Sequence, residues 1–319
     1  MPADRDDHSR DLTPFEDAII ELSEEDAGGH GDHWSIFADT PKELIGQILP
    51  QAVREAQSAM CYADTSGAQP MPLPSEEPAS AVLSWPTQRF GVFLVVRLDE
   101  AHKRNELVSA FPRASEGVEH VVDLEAVRLW PNRLEAQIEG LVGNGAMPIV
   151  FFDPLFARHR GFYQKDKRYH FIIAGFPYRI EVCDSPPIVI DDPERVRAVR
   201  RAMEPHVPTE ESDSEPIVIQ TKGMASLFPL QDASADDYHF QGPVKSVTEL
   251  DAKMLGCRTW RLRVTVARFS ELSDEDFDID LYVTEKVLGS GALPKIGDDV
   301  RGILWLQGYL WMPETDRAT

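Results

Sequence analysis

Phe162–Glu181 (FYQKDKRYHFIIAGFPYRIE) and Lys295–Pro313 (KIGDDVRGILWLQGYLWMP) read as one phrase written twice. With Gly175 set over Gly308, Asp166 meets Asp299, Arg168 meets Arg301, Phe176 meets Tyr309 and Tyr178 meets Trp311. Each copy is a charged turn feeding an apolar strand, with a glycine near its middle and alternating aromatics after it. Two copies predict two related β units in tandem.

Around the second copy the pattern is almost wholly β. Phe240–Leu250, Thr259–Ala267, Phe277–Thr284 and Val300–Trp311 alternate as strands do, and Gly308 and the charged turns suit a small closed barrel. Around the first copy, Arg89–Leu98, Arg133–Val142, Pro148–Phe152 and Tyr169–Val182 read the same way, while Val118–Trp130 fits either helix or strand. Asp192-Pro193-Glu194 opens a helix to about Met203 with Val196 and Val199 on its apolar face. Near the start, Thr13-Pro14-Phe15-Glu16 and Thr40-Pro41-Lys42-Glu43 are capping boxes. The first helix turns Phe15, Ile19 and Leu22 inward. The second turns Leu44, Ile48, Ala52 and Val53 inward and is expected to kink at Pro50.

The strand order and the phrase GDDVRGILWLQG (residues 297–308) resemble an OB-fold, a five-stranded Greek-key barrel, over about 80 residues. Taken with the repeat, the resemblance implies a second, more divergent OB-like unit over 130–183. The expected fold class is therefore α+β: an acidic helical N-terminal part plus two tandem OB-like antiparallel β-barrel units. The division is 1–80, an acidic helical region with a Pro-rich loop; 81–203, a first barrel-like domain with a C-terminal basic helix; 204–216, an acidic linker; and 217–319, a second OB-like barrel.

Charge narrows the function. The net charge is −22, and residues 1–50 carry 13 acidic against 3 basic side chains. Such a chain repels phosphate backbones, which disfavours general nucleic-acid binding and favours a basic protein partner. Cys61, Cys183 and Cys257 are isolated, without the pairing of a disulfide framework. No signal peptide or apolar run of membrane-spanning length is visible, so a cytoplasmic protein with no membrane contact is expected.

The candidate binding residues lie in the basic stretch 158–170 and the helix after it. Arg158, Arg160, Lys165, Lys167 and Arg168 alternate with Tyr163 and Tyr169, and Arg197, Arg200 and Arg201 follow. The OB resemblance implies that cations and rings so mixed hold single strands by phosphate contact and base stacking. The plainer reading is that the arginines neutralise the acidic N-terminal region. Asp274–Asp280 places Asp276, Asp278 and Asp280 on one strand face, a metal candidate or else a solvated acidic edge. His30-Gly31-Asp32-His33, with His8, has ligand types but lies in a glycine loop without HxxxH or HExxH spacing. No phosphate loop, GxGxxG or GxSxG is present. The sequence thus reads as a non-enzymatic binding or scaffolding protein with no cofactor and a protein partner. A single-stranded nucleic-acid binder is the first alternative and a metal-dependent enzyme on strand 274–280 the second.

Overall fold

The structure is a computed structural model, described for residues 14–60, 70–73, 77–99, 104–203, 215–269 and 276–313. Sixteen strands form among these residues. Those before Gly117 are β1 (Ile19–Glu21), β2 (Gln57–Ser58), β3 (Ser80–Pro86), β4 (Phe90–Asp99) and β5 (Arg104–Ala114). Next come β6 (Val118–Leu129), β7 (Ala136–Val142), β8 (Met147–Phe152) and β9 (Arg168–Val182), then the short β10 (Ile188–Ile190), β11 (Ile217–Ile219) and β12 (Ser226–Pro229). The last four are β13 (Asp237–Glu249), β14 (Thr259–Arg268), β15 (Asp276–Thr284) and β16 (Asp299–Pro313).

The expected α+β class with a helical N-terminal part is overturned: the chain is mostly β, built on one large mixed sheet. Helices are short, and β1 and β2 draw the N-terminal region into the sheets. The helix Pro41–Glu55 runs through Pro50, buries Ala52 and leaves Val53 exposed. Its Thr40 hydroxyl bonds Glu43 but accepts no cap amide, so the capping box is half made. The other box begins at Thr13, outside the described residues. Val118–Trp130 resolves as β6.

β2, β3, β4 and β5 make a small antiparallel sheet. Ten strands make the large one, in the order β1-β6-β7-β8-β16-β9-β15-β14-β13-β12. Two further pairings, β6 with β9 and β13 with β16, close it into two rings. One ring is β6-β7-β8-β16-β9 and the other β13-β14-β15-β9-β16. The long strands β9 and β16 belong to both. Each ring holds one parallel contact, β8 with β16 and β15 with β9, so neither is an antiparallel barrel standing alone. The two copies of the phrase are neighbours, paired antiparallel from Val300–Val182 to Pro313–Tyr169. Ala174 faces Gln307 across this seam, with Gly175 and Gly308 diagonally on either side.

The glycines are needed for close packing. A Cβ on Gly308 would sit 2.7 Å from the Phe151 ring, and one on Gly175 would sit 2.9 Å from Leu281. Period-2 alternation then divides the shared strands between two cores. Phe171, Ile173, Leu304, Leu306 and Leu310 fill the rings. Ala174, Phe176, Trp305 and Tyr309 face outward and are covered by the small sheet and the N-terminal segment. No helix among the described residues is long and apolar enough to cross a membrane.

Of the expected domain boundary, residues 204–214 lie outside the described residues. Strands from both sides of it share the large sheet.

Candidate functional site

The segment His30–Phe37 is wedged between the small sheet and the β9–β16 seam. A short helix, Glu24–Ala27, is capped by Ser23, whose hydroxyl accepts from the Asp26 amide at 3.1 Å. Gly28 follows at φ +67°, a value L side chains rarely adopt, and turns the chain inward. A 3-10 turn over Asp32–Ile36 carries His33 and Trp34 into the core. The Trp34 indole donates to the Ala110 carbonyl at 3.3 Å, and Thr284 donates to the Ile36 carbonyl at 2.7 Å.

The residues opposite come from the β6–β7 turn. Asn132 Oδ1 accepts from the amides of Leu134 and Glu135 at 2.9 and 3.1 Å, a local turn that points the Glu135 side chain inward. Buried there, Glu135 meets His30 Nε2 at 2.8 Å and accepts from the Ser109 hydroxyl at 2.6 Å and Asn132 Nδ2 at 2.7 Å. Three donors satisfy the carboxylate, as a buried charge requires.

His30 and His33 meet Nδ1 to Nδ1 at 3.1 Å, a contact in which one ring donates and the other accepts. Burial, and the neighbouring His30, hold the His33 pKa well below its usual value. The His33 ring stacks on Trp305 with centroids 3.5 Å apart, and Trp305 Nε1 donates to Asp236 Oδ2 at 2.8 Å. Burial raises the pKa of Asp236 and, with Asp236 beside it, raises that of Asp237 to about 7. The buried chain Glu135–His30–His33 thus leads inward to the shared seam.

Above Glu135 opens a cleft of about 720 Å³. Ile45, Leu49, Leu107 and Trp130 give it apolar walls; His30, Ser109, Asn132 and Glu135 make its floor; and Glu24, Arg97 and Glu106 stand at its rim. His30 stacks on Trp130 at 5.0 Å, and the Trp130 N–H finds no acceptor among the described residues. Arg97 is engaged by Glu106 at 3.1 Å and by the Asn132 carbonyl at 3.0 Å. The proton of Ser109 goes to a carboxylate rather than to an imidazole, and Glu135 is already held by three donors.

A second buried cluster lies beside β8. Burial raises the Asp153 pKa to about 7, although the Tyr163 hydroxyl and the Leu155 amide donate to it and Arg113 lies near. Arg113, 0% exposed, is sandwiched between the Phe93 and Tyr309 rings at 4.3 and 4.5 Å. Burial, with Arg113 and Arg158 adding repulsion, lowers the His159 pKa to about 3.

The residues singled out in 158–170 are divided between interior and surface. Tyr163 and Tyr169 are buried in the ring core, so neither ring can stack on a base. Arg160, 5% exposed, pairs with Glu77 at 2.8 Å and donates to the Pro78 carbonyl. Arg158 reaches the Ala59 carbonyl, and Arg168 pairs with Asp123 at 2.7 Å. Lys165 and Lys167 remain exposed. On the helix Pro193–Met203, Arg197 and Arg200 are half-buried and Arg201 is exposed, with Arg200 donating to the Glu215 carbonyl.

The aspartate face of β15 is spent on cations. Lys245 contacts Asp276 and Asp278 at 2.8 and 2.9 Å, and Arg263 clasps the buried Asp280 through two bonds. Asp274, Glu275 and His8 lie outside the described residues. Among those described, no group of three or more His, Cys, Asp or Glu is placed to hold a metal ion.

No family model, no curated protein and no solved structure matches this chain.

His30 and His33 were visible in sequence as ligand types, but their partner Glu135 stands 105 residues away. In sequence Arg133–Glu135 reads as the start of a strand, which in the structure begins at Ala136. The usable signal was Trp130-Pro131-Asn132, a turn former beside an aromatic.

Proposed function

We propose that this is a non-enzymatic binding protein whose cleft holds a small amphipathic molecule. The observation that supports this reading is a concavity of about 720 Å³ with apolar walls and a compact polar floor, within the size and character of small-molecule sites. The floor offers such a molecule polar groups already fixed in place, since Ser109 and Asn132 both donate to the Glu135 carboxyl. The single-stranded nucleic-acid reading loses its stacking rings to the core, and the net charge of −22 opposes it.

The test is a ligand-observed NMR screen of small amphipathic compounds against the wild-type protein and an Ile45→Trp variant. Ile45 is a half-buried helix residue on the cleft wall, so an indole there fills the cleft at the least cost to the core. Binding to the wild type that disappears in a variant of unchanged melting temperature is expected. Equal binding to both proteins would refute the reading.

A further inference from the structure

We infer that the occupant of this cleft is an uncharged carbonyl compound, a ketone, ester or amide whose oxygen accepts from the Trp130 indole while an apolar body fills the rest. This rests on the cleft being a binding site and specifies what it takes.

The first argument is an orphaned donor. Trp130 lines the cleft at 7% exposure, and its N–H finds no acceptor among the described residues. An indole nitrogen donates and cannot accept, so only a group with a lone pair completes it. A buried donor without a partner is costly, and a ligand that brings the missing acceptor recovers that cost. The ring has its edge to offer rather than its faces, because His30 stacks on it at 5.0 Å and Phe152 leans against it at 5.8 Å. Asn132 adds a second donor at the floor. One proton of its Nδ2 goes to Glu135, and the other has no partner among the described residues.

The second argument is that an ion of either sign finds no counter-ion inside. Arg97 is spent on Glu106 and on the Asn132 carbonyl, which leaves little for a carboxylate. Glu135 is enclosed by His30, Ser109 and Asn132, which leaves little for an ammonium. Glu24 is exposed at the mouth, where water screens it. A charge carried into an apolar cleft without a partner costs far more than a neutral dipole does.

The third argument is the remaining wall. Ile45, Leu49 and Leu107 are apolar and reward an apolar body. The matching molecule is therefore apolar over most of its surface, uncharged, and equipped with an oxygen that accepts.

Four probes built on one ring test this: acetophenone, isopropylbenzene, benzoate and benzylammonium, titrated into the full chain carrying isotope-labelled tryptophan and followed by NMR. Acetophenone should bind more tightly than either ion. It should also move the Trp130 indole N–H resonance downfield and slow its exchange with solvent. Isopropylbenzene, of similar shape but without an oxygen, should do neither, and this comparison needs only the wild type. Trp130→Phe keeps an aromatic wall and removes the donor. It should cost acetophenone about tenfold more affinity than it costs isopropylbenzene, the reach of one buried hydrogen bond. If an ion binds best, if bound acetophenone leaves the Trp130 N–H unmoved, or if the variant weakens both neutral probes equally, the carbonyl assignment falls while the cleft remains a binding site. If neither neutral probe binds up to its solubility limit, or if both bind Ile45→Trp as they bind the wild type, both readings fall.

Discussion

Replacing Asp153 by Asn should change stability in a way that depends on pH, and the structure sets the size. Asp153 is 1% exposed, and burial raises its pKa to about 7 from an ordinary 3.8. Between those values the folded state keeps a proton that the unfolded chain has lost. The carboxyl therefore contributes stability that is full below the unfolded value and is lost as pH rises through about 7. Each pH unit is worth about 1.4 kcal/mol, so the window of about three units carries about 4 kcal/mol. Asn imitates the protonated acid in shape and charge and has nothing to titrate. In denaturant unfolding from about pH 4 to about pH 8, the variant should gain on the wild type by about 1.4 kcal/mol per unit up to about pH 7, then run parallel. A constant difference across the range would refute the argument. It would mean that Asp153 is ionised in the fold, with Arg113 outweighing the burial.

His159 should act with the opposite sign. Its folded pKa of about 3 against an ordinary 6.5 means that stability is lost as pH falls below 6.5, by about 1.4 kcal/mol per unit, and His159→Gln should flatten that acid limb in the same titration. The basic stretch should divide sharply by burial. Arg160→Ala leaves the buried Glu77 held by Arg133 alone and should cost about 1–3 kcal/mol, whereas Lys165→Glu with Lys167→Glu should move the unfolding free energy by less than about 1 kcal/mol. Equal effects would show that the stretch acts as one surface. A Cβ on Gly302 would sit 1.9 Å from the Arg179 carbonyl, so Gly302→Ala should lower the denaturant midpoint by the equivalent of at least about 1–3 kcal/mol; an unchanged midpoint would count against the packing of β9 on β16.

The strands were legible because alternation is a local signal. Trp260, Leu262, Val264 and Val266 against Arg261, Arg263 and Thr265 locate β14 almost to the residue. Ring closure was not legible. Each ring depends on one parallel contact, Gln307 with Phe152 in one and Leu281 with Gly175 in the other, and such pairings leave no mark on either neighbourhood. The first N-terminal helix was overread, stopping at Ala18 where Ile19 and Leu22 were expected to extend it, because a capping box predicts where a helix starts and says nothing of how soon it stops. At the site, the glycines around His30 suggested a loop without a rigid frame, but the backbone freedom of Gly28 is what allows the histidines to turn inward. Tyr163 and Tyr169 misled for the converse reason. A hydroxyl needing a partner is as well served inside, by Asp153 or by the Phe162 carbonyl, as by a nucleic acid outside.

Because β9 and β16 each serve two rings, the order of assembly is constrained. Strand pairs such as β6–β7 and β14–β15 join residues near in sequence and can form early. Neither ring gains its last wall until segments about 130 residues apart meet at the Ala174–Gln307 seam. That places the slowest loop closure at the centre of the molecule and makes the two halves succeed or fail together. During synthesis β9 emerges well before β16 and must wait with its apolar face and the edge that β16 will take unsatisfied, the kind of exposure that invites chaperone capture or pairing with another nascent chain.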